Sequence, residues 1–123
     1  MNVVDSSAWL SYFAGDKYSD YFAKSIETID ELLVPSITIT EVFKTILRQR
    51  DEEAALLATA HMEQGKVVSL DVELSVVAAY YGVEHGLPLA DSIIYATAQK
   101  YNATLWTQDK DFKGLKDVKF HPR

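Results

Sequence analysis

The stretch Leu89-Ala90-Asp91-Ser92-Ile93-Ile94-Tyr95-Ala96-Thr97-Ala98-Gln99-Lys100-Tyr101-Asn102-Ala103-Thr104-Leu105-Trp106-Thr107-Gln108-Asp109 holds a helix, a stop and a strand in that order. Ile93, Ile94, Ala98 and Tyr101 give the segment from Leu89 to Tyr101 a buried helical face. Asn102 closes it, because asparagine tolerates the left-handed backbone that ends many helices. Thr104-Leu105-Trp106 is then too brief for a second helix and reads as a buried strand, with acids directly behind it. A helix feeding a buried strand is the repeating unit of a parallel sheet, whose strands need crossover connections that cover the sheet.

The same alternation runs outward to both ends. Val3-Val4, Leu32-Leu33-Val34, Val67-Val68-Ser69-Leu70 and Val118-Lys119-Phe120 are further short apolar runs flanked by polar or turn residues. Helical patterns lie between them, from Ser7 to Phe13, Tyr18 to Ile29, Ile39 to Arg50, Glu52 to Glu63 and Val72 to His85, with Gly65 and Gly86 as stop signals. The expected fold is α/β: a three-layer α/β/α sandwich around a mostly parallel sheet of about five strands. No linker, repeat or low-complexity tract interrupts residues 1–123, and 48% hydrophobic content suffices for one core, so a single domain is expected.

Composition also excludes function classes. With no cysteine there is no zinc-thiolate site, thiol nucleophile or disulfide framework. The N-terminus carries no basic leader, and no run approaches the ~20 apolar residues of a membrane span, so a cytoplasmic protein without a membrane partner is expected. A net charge of -6 argues against holding nucleic acid by bulk electrostatics. Any such contact must be local. Lys110, Lys113, Lys116, Lys119 and Arg123 crowd the C-terminal end, and Lys44, Arg48 and Arg50 form a second group. Most of these read as a solvated face, with Arg48, Lys110 and Lys113 as the candidates for phosphate contacts.

In open parallel sheets ligands bind beyond the carboxyl ends of the strands, so acids placed there are where chemistry is sought first. Each candidate also has a structural explanation. Asp5 follows the first strand directly, and it, Ser6 or Ser7 must cap the next helix. Glu41 lies three residues after Thr38, the spacing of a capping box, which is the simpler reading of that pair in isolation. Asp91 falls in the first turn of its helix, where an acid favours the dipole, yet so apolar a helix sets it near the core rim, where an unpaired carboxylate is costly. Asp109 and Asp111 follow the fourth strand, where turn chemistry also favours aspartate.

The joint pattern outweighs these separate explanations. If the acids converge on one crevice, two carboxylates ~5 Å apart repel by roughly 3 kcal/mol at an effective dielectric of 20, and a cation is needed. All-oxygen ligation selects magnesium or manganese over zinc. Such a site suits phosphodiester hydrolysis by an activated water. His61, His85 and His121 are scattered near chain or helix ends, read as surface residues, and receive no role.

Val3-Val4-Asp5-Ser6-Ser7-Ala8-Trp9, Thr40-Glu41, Ala90-Asp91-Ser92-Ile93-Ile94-Tyr95-Ala96-Thr97-Ala98 and Thr107-Gln108-Asp109-Lys110-Asp111-Phe112 together resemble the successive signatures of PIN domains. The resemblance covers essentially the whole chain, and its Ala-Asp-Ser and Thr-x-Asp-x-Asp-Phe segments are the most specific. It implies metal roles for Asp5, Glu41, Asp91 and Asp109, with Asp111 as a fifth acid and Ser6 and Thr107 as supporting polar groups. Among single-domain PIN proteins of this size the commonest resemblance is to VapC toxins, which implies an endoribonuclease leaving 5′-phosphate and 3′-hydroxyl ends, a VapB-like antitoxin and a homodimer. The aromatic early helices, with Trp9, Tyr12, Phe13, Tyr18, Tyr21 and Phe22, fit a protein partner, although most of these belong in a core. Two rival readings are a catalytically weak PIN-like module that binds RNA or protein, and a receiver-type phosphoacceptor domain with Asp71 as acceptor. The receiver lacks its paired acids after Val4, and Asp71 suits a helix N-cap.

Overall fold

The computed structural model describes residues 1–123. Five strands, β1 (Asn2–Val4), β2 (Leu32–Pro35), β3 (Lys66–Val68), β4 (Thr104–Thr107) and β5 (Val118–Phe120), form one sheet in the order β3-β2-β1-β4-β5. Every pairing is parallel. Six α-helices connect them: α1 (Ser6–Ala14), α2 (Ser19–Glu27), α3 (Ser36–Gln49), α4 (Glu52–Met62), α5 (Val72–His85) and α6 (Leu89–Lys100).

Strand periodicity explains the layering. Successive side chains point to opposite faces, so Val3 joins one core and Val4 the other, and both are fully buried. Val3, Leu33, Val68 and Leu105 pack beneath α5 and α6 through Leu74, Ala78, Ile94 and Ala98. Val4, Leu32 and Val34 pack under the helices on the other face through Trp9, Phe22, Val42 and Met62. Two buried faces are what near-continuous apolar strands require. The three-layer expectation is met, and the sheet is wholly parallel.

Helix ends follow local chemistry. Asp51 and Asp71 accept the backbone N–H groups of Ala54 and Leu74 and so cap α4 and α5. Asp71 therefore performs the capping task, and it follows an edge strand rather than a central one, which removes the receiver reading. Gly86 and Asn102 take left-handed backbone at φ 65° and 53°. Gly65 serves packing instead, because a Cβ there would meet Leu32 Cγ at 2.9 Å. α6 is buried on all sides from Ser92 to Ala98, not on one face alone.

The N-terminus of α3 differs from the sequence expectation. The helix begins at Ser36, a turn before Ile39, and Thr38 Oγ1 donates to the Pro35 carbonyl at 2.7 Å. Thr38 thus caps nothing, and no capping box forms with Glu41. Pro35, the last residue of β2, occupies the N-cap position, and the helix starts directly behind it.

Candidate metal centre

The sheet order reverses direction between β1 and β4, since β2 and β3 lie to one side of β1 and β4 and β5 to the other. The chain leaves β1 through Asp5 and β4 through Thr107-Gln108-Asp109, so these residues meet at the switch-point crevice. Parallel pairing of Val4 with Trp106 sets them side by side.

Hydrogen bonds tie the two strand ends together. Thr107 Oγ1, fully buried, donates to Asp5 Oδ2 at 2.8 Å and accepts from the Asp109 backbone N–H at 2.8 Å. Ser7 Oγ donates to Asp5 Oδ1 at 2.7 Å and accepts from the Gln108 N–H at 3.1 Å. Asp5 Oδ1 also accepts from Ala8 N–H, so this carboxylate caps α1 as well as lining the crevice. Ser6 Oγ reaches across to Glu41 Oε1 at 2.8 Å. Asp109 Oδ1 accepts from the Asp111 N–H, which turns the chain into a short 3-10 segment from Lys110 to Phe112.

Carboxylate oxygens of Asp91, Asp109 and Asp111 lie within 4.8 Å of one another. Asp5 and Glu41 stand outside that tight triplet, yet their charges act on Asp91. Burial, then Asp109, Asp5, Asp111 and Glu41, push Asp91 up to about 7. Burial also raises Asp5 to about 6; hydrogen bonds from Ser7, Thr107 and Ala8 oppose that rise, and the charge of Asp109 adds to it. No lysine or arginine compensates: the one ion pair in the chain is His85 with Glu84, at 3.9 Å. A crevice of like charges without a basic partner fits a cation, and a donor set of carboxylate oxygens alone fits a hard divalent one.

Ser6 and Thr107 both bond to candidate acids, and Ser7 does the same although its pattern signalled only a cap. Arg48, Lys110 and Lys113 are all exposed. Lys113 lies over the Phe120 ring at 5.6 Å, and Arg48 stands two turns of α3 beyond Glu41, about 10 Å along the axis. His61 packs among Trp9, Tyr12 and Phe13 and His121 edge-on to Tyr21 at 4.2 Å, both half-buried, whereas His85 is exposed as expected. None of them lies among the acids of the crevice.

The PIN domain family model matches residues 3–118, which runs from β1 to the start of β5 and includes all five acids. The chain belongs to the PIN domain family. No curated protein matches it in sequence. Among solved structures, a toxin–antitoxin complex from Klebsiella pneumoniae contains a chain similar to this PIN domain with TM-score 0.84 and 20% identity, covering 100% of each chain. VapC20 of Mycobacterium tuberculosis, described as a sarcin-ricin loop cleaving toxin, matches with TM-score 0.79 and 21% identity over 97% of this chain and 99% of that one. VapBC2 from Rickettsia felis, bound to a promoter DNA fragment, matches with TM-score 0.74 and 13% identity over 98% and 97%. The likeness is one of fold along the full chain. No helix of this PIN domain is long and apolar enough to cross a membrane.

Proposed function

We propose that this chain is a metal-dependent endoribonuclease, the VapC-like toxin of a toxin–antitoxin pair, acting as one PIN unit over residues 1–123. The observation that carries the reading is the carboxylate triplet of Asp91, Asp109 and Asp111 within 4.8 Å at the sheet's switch point, with no basic side chain to neutralise it. In this reading Asp5, Glu41, Asp91 and Asp109 hold Mg2+ or Mn2+, with Asp111 as the fifth acid. The bound ion supplies polarisation of the scissile phosphoryl group and acidification of a water. The chain's own residues do the rest. Thr107 and Ser7 lock Asp5 in one rotamer, Ser6 orients Glu41, and Asp91 stores a proton below about pH 7 that must leave before it can ligate. Arg48, Lys110 and Lys113 contact the phosphates of the RNA, and binding weakens with salt.

Two partners follow from the same reading. Relatives of this fold are described as toxin–antitoxin complexes, and a VapB-like antitoxin is the counterpart proposed here. A second copy covers α5, whose Val72, Val76, Tyr80 and Val83 form an exposed stripe, with Val83 at 88% and Tyr80 at 74% exposure. A soluble monomer has little reason to keep such a stripe uncovered. The site of action is the cytoplasm, where RNA and a reduced milieu suit a cysteine-free nuclease.

The test is cleavage of a mixed RNA pool by wild type and Asp109→Asn, each with Mg2+, Mn2+ and EDTA, reading the product ends. Cutting by wild type alone, only with metal, to 5′-phosphate and 3′-hydroxyl ends is expected. Cyclic phosphate ends would refute hydrolysis by an activated water, and equal activity of the two proteins would identify a contaminant. Silence with every metal would leave a PIN-like module that binds RNA or protein without cutting.

A further inference from the structure

Gly82 is the one glycine inside a helix of this protein, and its backbone does not require it. The left-handed glycines are Gly15, Gly86 and Gly114, whereas Gly82 keeps ordinary helical geometry within α5. A glycine inside a helix is less favourable than alanine, so its presence calls for a packing reason. That reason lies across the contact between α5 and α6. A Cβ on Gly82 would stand 3.3 Å from Ser92 Cβ and 3.6 Å from Ser92 Oγ. The first distance is tighter than side-chain carbons ordinarily pack, so any side chain at this position would push Ser92 away by a few tenths of an ångström.

The surroundings decide where that displacement goes. The close atom is the Cβ of Ser92, which no rotamer moves, and Ser92 Oγ is held to the Leu89 carbonyl at 2.7 Å. From Ser92 to Ala98 every residue of α6 is buried. The connection has no slack either. Gly86, Leu87 and Pro88 alone join the two helices, and the Gly82 carbonyl accepts from the N–H groups of both Gly86 and Leu87. Only the first turn of α6 is open, with Leu89 81% exposed and Asp91 half-buried. Asp91 therefore takes up the shift, and its carboxylate stands within 4.8 Å of those of Asp109 and Asp111. Magnesium demands oxygen ligands at about 2.0–2.1 Å in near-octahedral array, so a displacement of this size is felt at the ion.

We propose that Gly82 is a positioning residue for the metal centre: by carrying no side chain it lets α5 close on Ser92, and that contact sets where Asp91 meets Asp109 and Asp111. The inference rests on the metal-dependent nuclease reading above. It extends the site to a residue of a neighbouring helix that touches none of the acids and acts through the backbone of α6.

The test exchanges the glycine between the two helices. Gly82→Ala, Ser92→Gly and the double variant are titrated with Mn2+ by calorimetry at pH 8 and assayed for kcat and KM on RNA at saturating Mn2+. Ala78→Gly, one turn earlier on the buried face of α5, controls for lost helix stability. Gly82→Ala should weaken Mn2+ binding and lower kcat, each by about tenfold, with KM for RNA little changed. Ser92→Gly removes the Cβ that the new methyl group meets, so the double variant should return to within about threefold of wild type. Ala78→Gly should lower Tm and leave Mn2+ affinity and kcat unchanged. If Gly82→Ala binds Mn2+ and cuts as wild type does, the inference is overturned while the nuclease reading stands. A double variant no better than Gly82→Ala, or an equal loss in Ala78→Gly, overturns it too, by assigning Gly82 to general stability. Should Gly82→Ala not fold, the double variant decides: folding with wild-type Mn2+ affinity supports the inference, and any other result overturns it. Mn2+ binding that follows the expected pattern in a protein that cuts no RNA supports the positioning role and fails the nuclease reading alone. A wild type that binds no Mn2+ removes both.

Discussion

Replacing Asp91 by asparagine should stabilise the metal-free protein at pH 8 while removing its metal-dependent cutting. Everything that acts on the Asp91 carboxyl raises its pKa, namely burial and the charges of Asp109, Asp5, Asp111 and Glu41, and no hydrogen bond offsets them. A like-charge pair at 4.8 Å repels by about 3 kcal/mol at an effective dielectric of 20. Asp91 is half-buried, so solvent and salt reduce this to about 1–2 kcal/mol. The substitution also gives up about 0.5 kcal/mol of acid–dipole attraction in the first turn of α6. A net gain of about 1 kcal/mol remains, or roughly 4 °C in Tm for a domain of this size.

The pH dependence has a definite sign. Asp91 titrates near 7 when folded, against ~3.9 when unfolded, so between these values the folded state holds a proton that the unfolded state has lost. Wild-type stability therefore falls as pH rises through that window, and the advantage of Asp91→Asn grows with it. At pH 5 roughly a third of the gain should survive. Calorimetry in EDTA at pH 5 and pH 8 measures both values. No gain at pH 8, or an equal gain at the two pH values, would mean that the acids do not repel one another as the geometry requires.

Further outcomes are expected from the same site and from α5. Excess Mn2+ should stabilise the wild type at pH 8, by about 2.7 kcal/mol at a hundredfold excess over Kd and with a raised Tm, and should do little at pH 5, where Asp91 and Asp5, at about 7 and 6, stay protonated. An equal shift in Asp109→Asn would place the ion elsewhere. Thr107→Val keeps the volume but removes the donor to Asp5 and the acceptor for Asp109 N–H, so urea titration should show a loss of about 1–3 kcal/mol and cutting should fall. Thr107→Ser should recover most of the activity, and if valine cuts as well as threonine, the bridge has no positioning role. Val83→Glu, on the exposed stripe of α5, should turn a dimer into a monomer by light scattering with Tm little changed, and an unaltered mass would remove α5 from the interface.

Much of the fold was legible because its signals are local. Each strand is a short apolar run, and the helices between them carry their own stops at Gly86 and Asn102. Asp71 was legible as a cap for the same reason, since a cap is decided within four residues. Glu41 marks where locality fails. Its spacing from Thr38 imitates a capping box, but the helix starts earlier, at Ser36, and the partner of Glu41 is Ser6, 35 positions away. His61 and His121 are half-buried for a similar reason, since contacts with Trp9, Phe13 and Tyr21 come from other elements and leave no trace near either histidine in sequence.

The sequence by itself determined the α/β class, the positions of the elements and which acids were candidates for the site, because these follow from periodicity, capping and residue chemistry over a few neighbours. Only the tertiary structure decided that β1 and β4 are adjacent at the switch point, that Thr107 and Ser7 join Asp5 to the end of β4, and that Asp91, Asp109 and Asp111 form the tight triplet while Asp5 and Glu41 stand behind it. It also decided that Gly82 of α5 lies against Ser92 of α6. The physical reason is distance along the chain: Asp5 and Thr107 are 102 residues apart, and strand order, which no local pattern encodes, brings them to 2.8 Å.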